Sequence, residues 1–169
     1  MFLLLAALVA KKQVSIHRQV EMVGALWALA AIVTGLYMVI ITTYRDMDLI
    51  DGSFGAVITF IPLSQVCMFT GFIALALVNI KRPMVHKRFM MLAALVAITP
   101  AIARLAVTAI GGTTPVTVAS IFLVSNGLIV AVAWYDAVRH QWLHPVFLYG
   151  GLVILFVRVL RVPFAMSPL

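Results

Sequence analysis

Along this chain the polar residues gather into short clusters, separated by long stretches with almost no charge. Five stretches reach the length at which a helix crosses hydrocarbon: approximately Val23–Thr43, Ala56–Ile80, Phe89–Gly111, Val116–Ala137 and Pro145–Ala165. About 20 mostly apolar residues are needed, because in lipid every backbone N–H and C=O must find its partner inside the segment. The connectors carry turn and breaker residues, Asp51-Gly52-Ser53, Lys81-Arg82-Pro83 and Gly111-Gly112-Thr113-Thr114-Pro115. Connections this short make successive helices antiparallel neighbours. The pattern predicts an all-α fold, a polytopic transmembrane helical bundle of five full spans forming one domain over residues 1–169.

A further apolar run, Met1–Ala10, reaches only about 15 Å as a helix, half a bilayer. Its positive charges follow the apolar stretch and it has no small-residue cleavage site, unlike a secretory signal. It is expected to be a half-inserted segment or the tail of a further span.

Composition agrees with the pattern. Of 169 residues, 64% are hydrophobic and 10% charged, with a mean hydropathy of +1.17. Soluble domains carry about 45–50% apolar and about 25% charged residues. The polar side chains that would face water are missing, so the expected surroundings are a lipid bilayer. The single cysteine, Cys67, lies within an apolar run, which excludes an intrachain disulfide or zinc-thiolate framework. The net charge of +7 sits in clusters that flank the spans, where membrane topology explains it. Nucleic acid is not an expected partner.

Those clusters orient the chain. Lys11, Lys12 and Arg18 precede the first span, Lys81, Arg82, Lys87 and Arg88 follow the second, and Arg139 follows the fourth. The opposite loops hold only Arg45, beside Asp46, Asp48 and Asp51. Positive loops stay in the cytoplasm, so the carboxyl terminus is expected outside.

Depth then sorts the candidate chemistry. His17, His86, His140 and His144 all fall on the cytoplasmic side, three of them at the start of an odd-numbered span. Glu21 and Asp136 lie at the same end as candidate hydrogen-bond acceptors for the rings of His17, His86 and His144. Imidazoles and carboxylates converging there would suit a divalent metal, and two histidines on different helices would suit a haem iron. Against this, histidines beside Lys and Arg at span starts are what a plain cytoplasmic boundary looks like, and that reading is placed first. His140 and His144 have ligand spacing, but Pro145 disfavours helix at His144 and no glutamate lies between them, so a zinc-protease reading fails.

Arg104 and Arg161 lie 18 and 17 residues after His86 and His144, about 25–27 Å along a helix and therefore near the outer interface. Arg158 is one turn from Arg161. Together Arg104, Arg158 and Arg161 form a candidate socket for an anion or lipid head group. The preferred reading is anchoring, balanced by the three outer aspartates. Near the bilayer centre are Thr34, Gln65, Thr99 and Asn126, with Pro62 and Pro100 able to kink their helices. Gln65 and Asn126 are expected to hydrogen-bond across helices.

One resemblance rests on residues spread over most of the chain from His17. These are His17-Arg18, Arg82-Pro83, His86-Lys87-Arg88-Phe89-Met90-Met91, Pro100-Ala101-Ile102-Ala103-Arg104-Leu105, Tyr135-Asp136, His144-Pro145 and Tyr149-Gly150-Gly151. With them the chain resembles a group of small uncharacterised bacterial multi-span inner-membrane proteins. The resemblance implies the fold and the topology, and singles out His17, His86, Arg104, His144 and Arg161; it brings no reaction with it. His140 lies outside the shared pattern. A looser likeness, by analogy alone, is to cytochrome b-type and haem-handling membrane proteins.

Three functions follow as expectations, in this order. The first is a non-catalytic accessory or interaction component of the bacterial cytoplasmic membrane, with a membrane-protein partner. The second is a haem- or metal-binding redox protein using the inner histidines, although no cofactor is assigned. The third is a transporter of small molecules or lipids.

Overall fold

The computed structural model describes the backbone of residues 14–47, 52–112 and 114–166, and side chains over 23–44, 59–112 and 114–160. Five helices follow one another: α1 (Val14–Met47), α2 (Gly52–Val78), α3 (Pro83–Ile110), α4 (Pro115–His140) and α5 (Pro145–Met166). Four contain stretches long and apolar enough to cross a membrane: Val23–Tyr44, Thr59–Val78, Pro83–Ile110 and Pro115–His140. In α5 the apolar stretch is Pro145–Leu160, within a helix of 22 residues, about 33 Å long. The chain is a multi-pass α-helical membrane protein, a helical bundle. Met1–Ala10 lies outside the described residues.

Helix boundaries follow local chemistry more than hydropathy. Proline opens α3, α4 and α5, where its missing N–H and fixed φ are tolerated. The start of α4 is held by a reciprocal cap. The Thr117 N–H donates to Thr114 Oγ1 at 3.2 Å, the Thr114 N–H donates to Thr117 Oγ1 at 3.4 Å, and the Thr117 hydroxyl reaches back to the Gly112 carbonyl at 2.7 Å. Gly111 ends α3 at φ 84°, a left-handed conformation that glycine adopts without strain, and its N–H bonds the Val107 carbonyl. The expected third span began at Phe89, yet the helix begins at Pro83. Its first turns lie at the bundle's polar end, where a helix needs no apolar run.

The four helices α2 to α5 pack around a core of Met68, Phe72, Leu92, Ala93, Val96, Ile129, Phe147 and Ile154. Among the described residues α1 packs on α2 alone. There Gly35 lets the helices close: a Cβ on it would stand 2.9 Å from Val66 Cγ2. Thr43 and Thr59 join the same two helices by a hydroxyl contact of 2.9 Å. The outward surface is largely apolar, as lipid requires, with Val78, Leu123 and Trp134 largely exposed. What marks the interior is polarity: Gln65, Arg88, Thr99, Thr117, Ser125 and Arg158 are all buried.

Candidate functional site

Two buried arginines organise the interior, and they are satisfied very differently. Arg88 lies five residues into α3 and Asp136 four residues before the end of α4, about 6–8 Å from the basic end of the bundle on each helix. Their side chains meet in a two-pronged pair: Arg88 Nε donates to Asp136 Oδ2 at 2.9 Å and Nη2 donates to Oδ1 at 3.1 Å. Arg88 Nη1 also donates to the Met84 carbonyl at 3.3 Å. Arg88 is only 4% exposed, so this ion pair is shielded from water.

Three described histidines lie at the same basic end of the bundle. His140 Nδ1 donates to the Asp136 carbonyl at 2.9 Å and lies 3.4 Å from its Oδ1. His86 Nδ1 donates to the Ala76 carbonyl at 2.7 Å, tying α3 to α2. His144 does the reverse: its Nδ1 accepts the Val146 N–H at 3.2 Å and so caps α5. Its neutral ring therefore carries the proton on Nε2. Burial and the Arg88 charge, with His140 adding to them and Asp136 opposing, hold its pKa below the ordinary 6.5. The Trp142 ring stands 5.2 Å from it, centroid to centroid.

Arg158 lies 13 residues into α5, about 20 Å along the helix from the basic end. Its partners come from two other helices and all are neutral. Nη1 donates to Ser125 Oγ at 3.0 Å and to Asn126 Oδ1 at 2.7 Å, and Nη2 donates to Thr99 Oγ1 at 2.8 Å. The two hydroxyls point their own hydrogens at the Ile121 and Leu95 carbonyls, which leaves lone pairs facing the guanidinium. Nε, fully buried, has no partner among the described residues. Nε and Nη2 are the nitrogens with which Arg88 grips Asp136. In Arg158 that fork is half used.

This corrects the expected arginine layer. Arg158 is 6% exposed and sits inside the bundle rather than at its surface. Arg104 is exposed and does not join it, while the side chains of Arg161, His17 and Glu21 lie outside the described residues. Asn126 and Thr99, expected near the bilayer centre, are bound to Arg158. Gln65 crosses from α2 to donate to the Val96 carbonyl at 3.0 Å. Asp136, expected as a histidine acceptor, is principally the partner of Arg88. Among the described residues no three His, Cys, Asp or Glu side chains form a metal-ligand group.

Sequence reasoning missed the Arg88–Asp136 pair. The signal was there: opposite charges at equal depth from one end, on helices joined by a short connector. The comparisons add nothing to the geometry. Family models, curated proteins and solved structures were each searched, and none matches this chain.

Proposed function

We propose that this chain is a non-catalytic component of the bacterial cytoplasmic membrane that works by binding another component there. In this reading its basic loops face the cytoplasm and its carboxyl terminus lies outside. The observation that supports binding is the coordination of Arg158. A guanidinium buried within a span is expensive in lipid, and residues in that position ordinarily mark a functional contact. A neutral donor at the same position of α5 could reach Thr99 of α3 and Ser125 and Asn126 of α4 without burying a charge. The charge adds desolvation to the bundle and leaves one donor unused, which suits a group awaiting its counterpart.

The histidine end draws less support for a bound cofactor. His144 uses its Nδ1 lone pair on the Val146 N–H and carries its proton on Nε2. His86 donates Nδ1–H to the Ala76 carbonyl and keeps Nε2 free, with no group of three His, Cys, Asp or Glu side chains gathered there among the described residues. A haem band in a reduced-minus-oxidised spectrum of the purified protein would reverse this ranking.

The test is the size of the native particle. Gentle extraction from the membranes of the source cells should give an assembly larger than the chain purified alone. Equal sizes in the two preparations would contradict the reading. Orientation is tested in a variant with Cys67 replaced: a cysteine at Ser53 should react with an impermeant thiol reagent in intact cells, and one at Val85 should not.

A further inference from the structure

Of the five helices α5 has the shortest uncharged run. It reaches from Pro145 to Val157, about 20 Å of helix, before Arg158 and Arg161 follow. Crossing hydrocarbon takes about 20 residues, so α5 crosses with a charge inside its span. Arg104 interrupts α3 in a similar way, but its side chain is exposed and can extend toward the interface. Arg158 lacks that route: it is buried, and its guanidinium is held between helices.

Three side chains take up that guanidinium, and each is set in place by its own helix. The Thr99 hydroxyl donates to the Leu95 carbonyl at 3.1 Å, and the Ser125 hydroxyl to the Ile121 carbonyl at 2.6 Å. Asn126 Nδ2 donates to the Phe122 carbonyl at 2.8 Å. All three bonds run to the residue four positions earlier, so they form once α3 and α4 are helical and need nothing from α5. Each leaves an oxygen lone pair for Arg158 Nη1 or Nη2. Helices α3 and α4 pack on each other and both precede α5 in the chain. During synthesis the acceptor set is therefore complete before α5 emerges. Nearer the basic end, Gly150 lets α5 lie directly against α3: a Cβ on it would run into the Leu92 side chain.

We infer that α3 and α4 form a preassembled template for the insertion of α5, in which Thr99, Ser125 and Asn126 receive Arg158 and keep the helix across the membrane. The three oxygens replace the water that the guanidinium gives up, and hydrogen bonds to a charged group are about twice as strong as neutral ones. Arg158 also fixes the register of α5, because a shift of one residue would turn it by about 100° away from its acceptors. The template acts within the chain and stands apart from the binding function proposed above.

The test follows the carboxyl terminus of the full chain, with Cys67→Ala and Ser167→Cys as the reporter. An impermeant thiol reagent is applied to intact cells and again after permeabilisation, and the ratio gives the side of the terminus. Thr99→Val, Ser125→Ala and Asn126→Leu together should move the terminus to the opposite side, changing that ratio at least about tenfold. Adding Arg158→Leu to the three should restore the original side, since leucine needs no acceptor. Arg158→Leu alone should leave the side unchanged. A separate Ser53→Cys reporter should label equally in every variant, which distinguishes failure of α5 from loss of the whole topology. A triple variant that keeps its terminus in place, or one that Arg158→Leu does not restore, would overturn the inference. A protected Ser167→Cys in the otherwise unaltered chain would instead reverse the proposed orientation, and the template would still be judged on the change of side.

Discussion

Gln65 donates its side-chain amide to the carbonyl of Val96, the acceptor that Pro100 leaves without a helical donor. Proline has no N–H to give the residue four positions earlier, and in hydrocarbon water cannot replace it. Helix α2 thus repairs α3 at the place where α3 is broken.

The repair makes the two positions interdependent. Gln65→Leu should lower the unfolding free energy in detergent by about 1 kcal/mol. In a Pro100→Ala background, where the helix supplies its own donor, the same change should cost clearly less. A double-mutant cycle on purified protein checks this, and simple additivity would show that the two groups do not cooperate.

Arg88 and Asp136 are predicted to behave as a closed pair. Arg88→Gln or Asp136→Asn alone should destabilise by about 3–5 kcal/mol, because each leaves its partner buried and uncompensated. Replacing both with apolar residues of similar size should recover most of that loss. Thermal unfolding of the two singles and the double decides it; a double as unstable as the sum of the singles would refute the pairing.

His144 makes stability depend on pH with a defined sign. Its folded pKa lies below 6.5, so the unfolded chain takes up its proton first as the solution is acidified. Its contribution is complete above pH 6.5 and is lost as pH falls from there through the folded pKa. Protonation also removes the Nδ1 lone pair that accepts the Val146 N–H. His144→Asn keeps a capping acceptor but cannot titrate, so its melting temperature should fall less between pH 7.5 and 5 than that of the wild type. Equal slopes would argue against the capping role.

Much of this architecture was legible before any coordinates. Apolar run length foretold the helical bundle, and Pro145 foretold the break after His140. Depth could also be counted along each span. What depth cannot supply is azimuth. Arg104 and Arg158 both lie well along their helices, yet one faces outward and the other is enclosed by Thr99, Ser125 and Asn126. Hydropathy does not distinguish those directions, because a lipid-facing and a core-facing surface are equally apolar. Arg88 was hidden for a related reason. Next to Lys87, and in a basic cluster, it reads as a cytoplasmic charge, and only the packing of α3 on α4 turns it toward Asp136.

Among the described residues Arg158, unlike Arg88, has no counter-charge. The most direct measurement is the melting temperature of the isolated protein with Arg158→Gln, compared with Arg88→Gln under the same conditions. Arg88→Gln should unfold at a much lower temperature. Arg158→Gln should melt at or above the wild type, because it keeps hydrogen-bonding capacity and removes an uncompensated charge. If Arg158→Gln is instead destabilised as severely as Arg88→Gln, a carboxylate of this chain already pairs with Arg158, and the account is wrong.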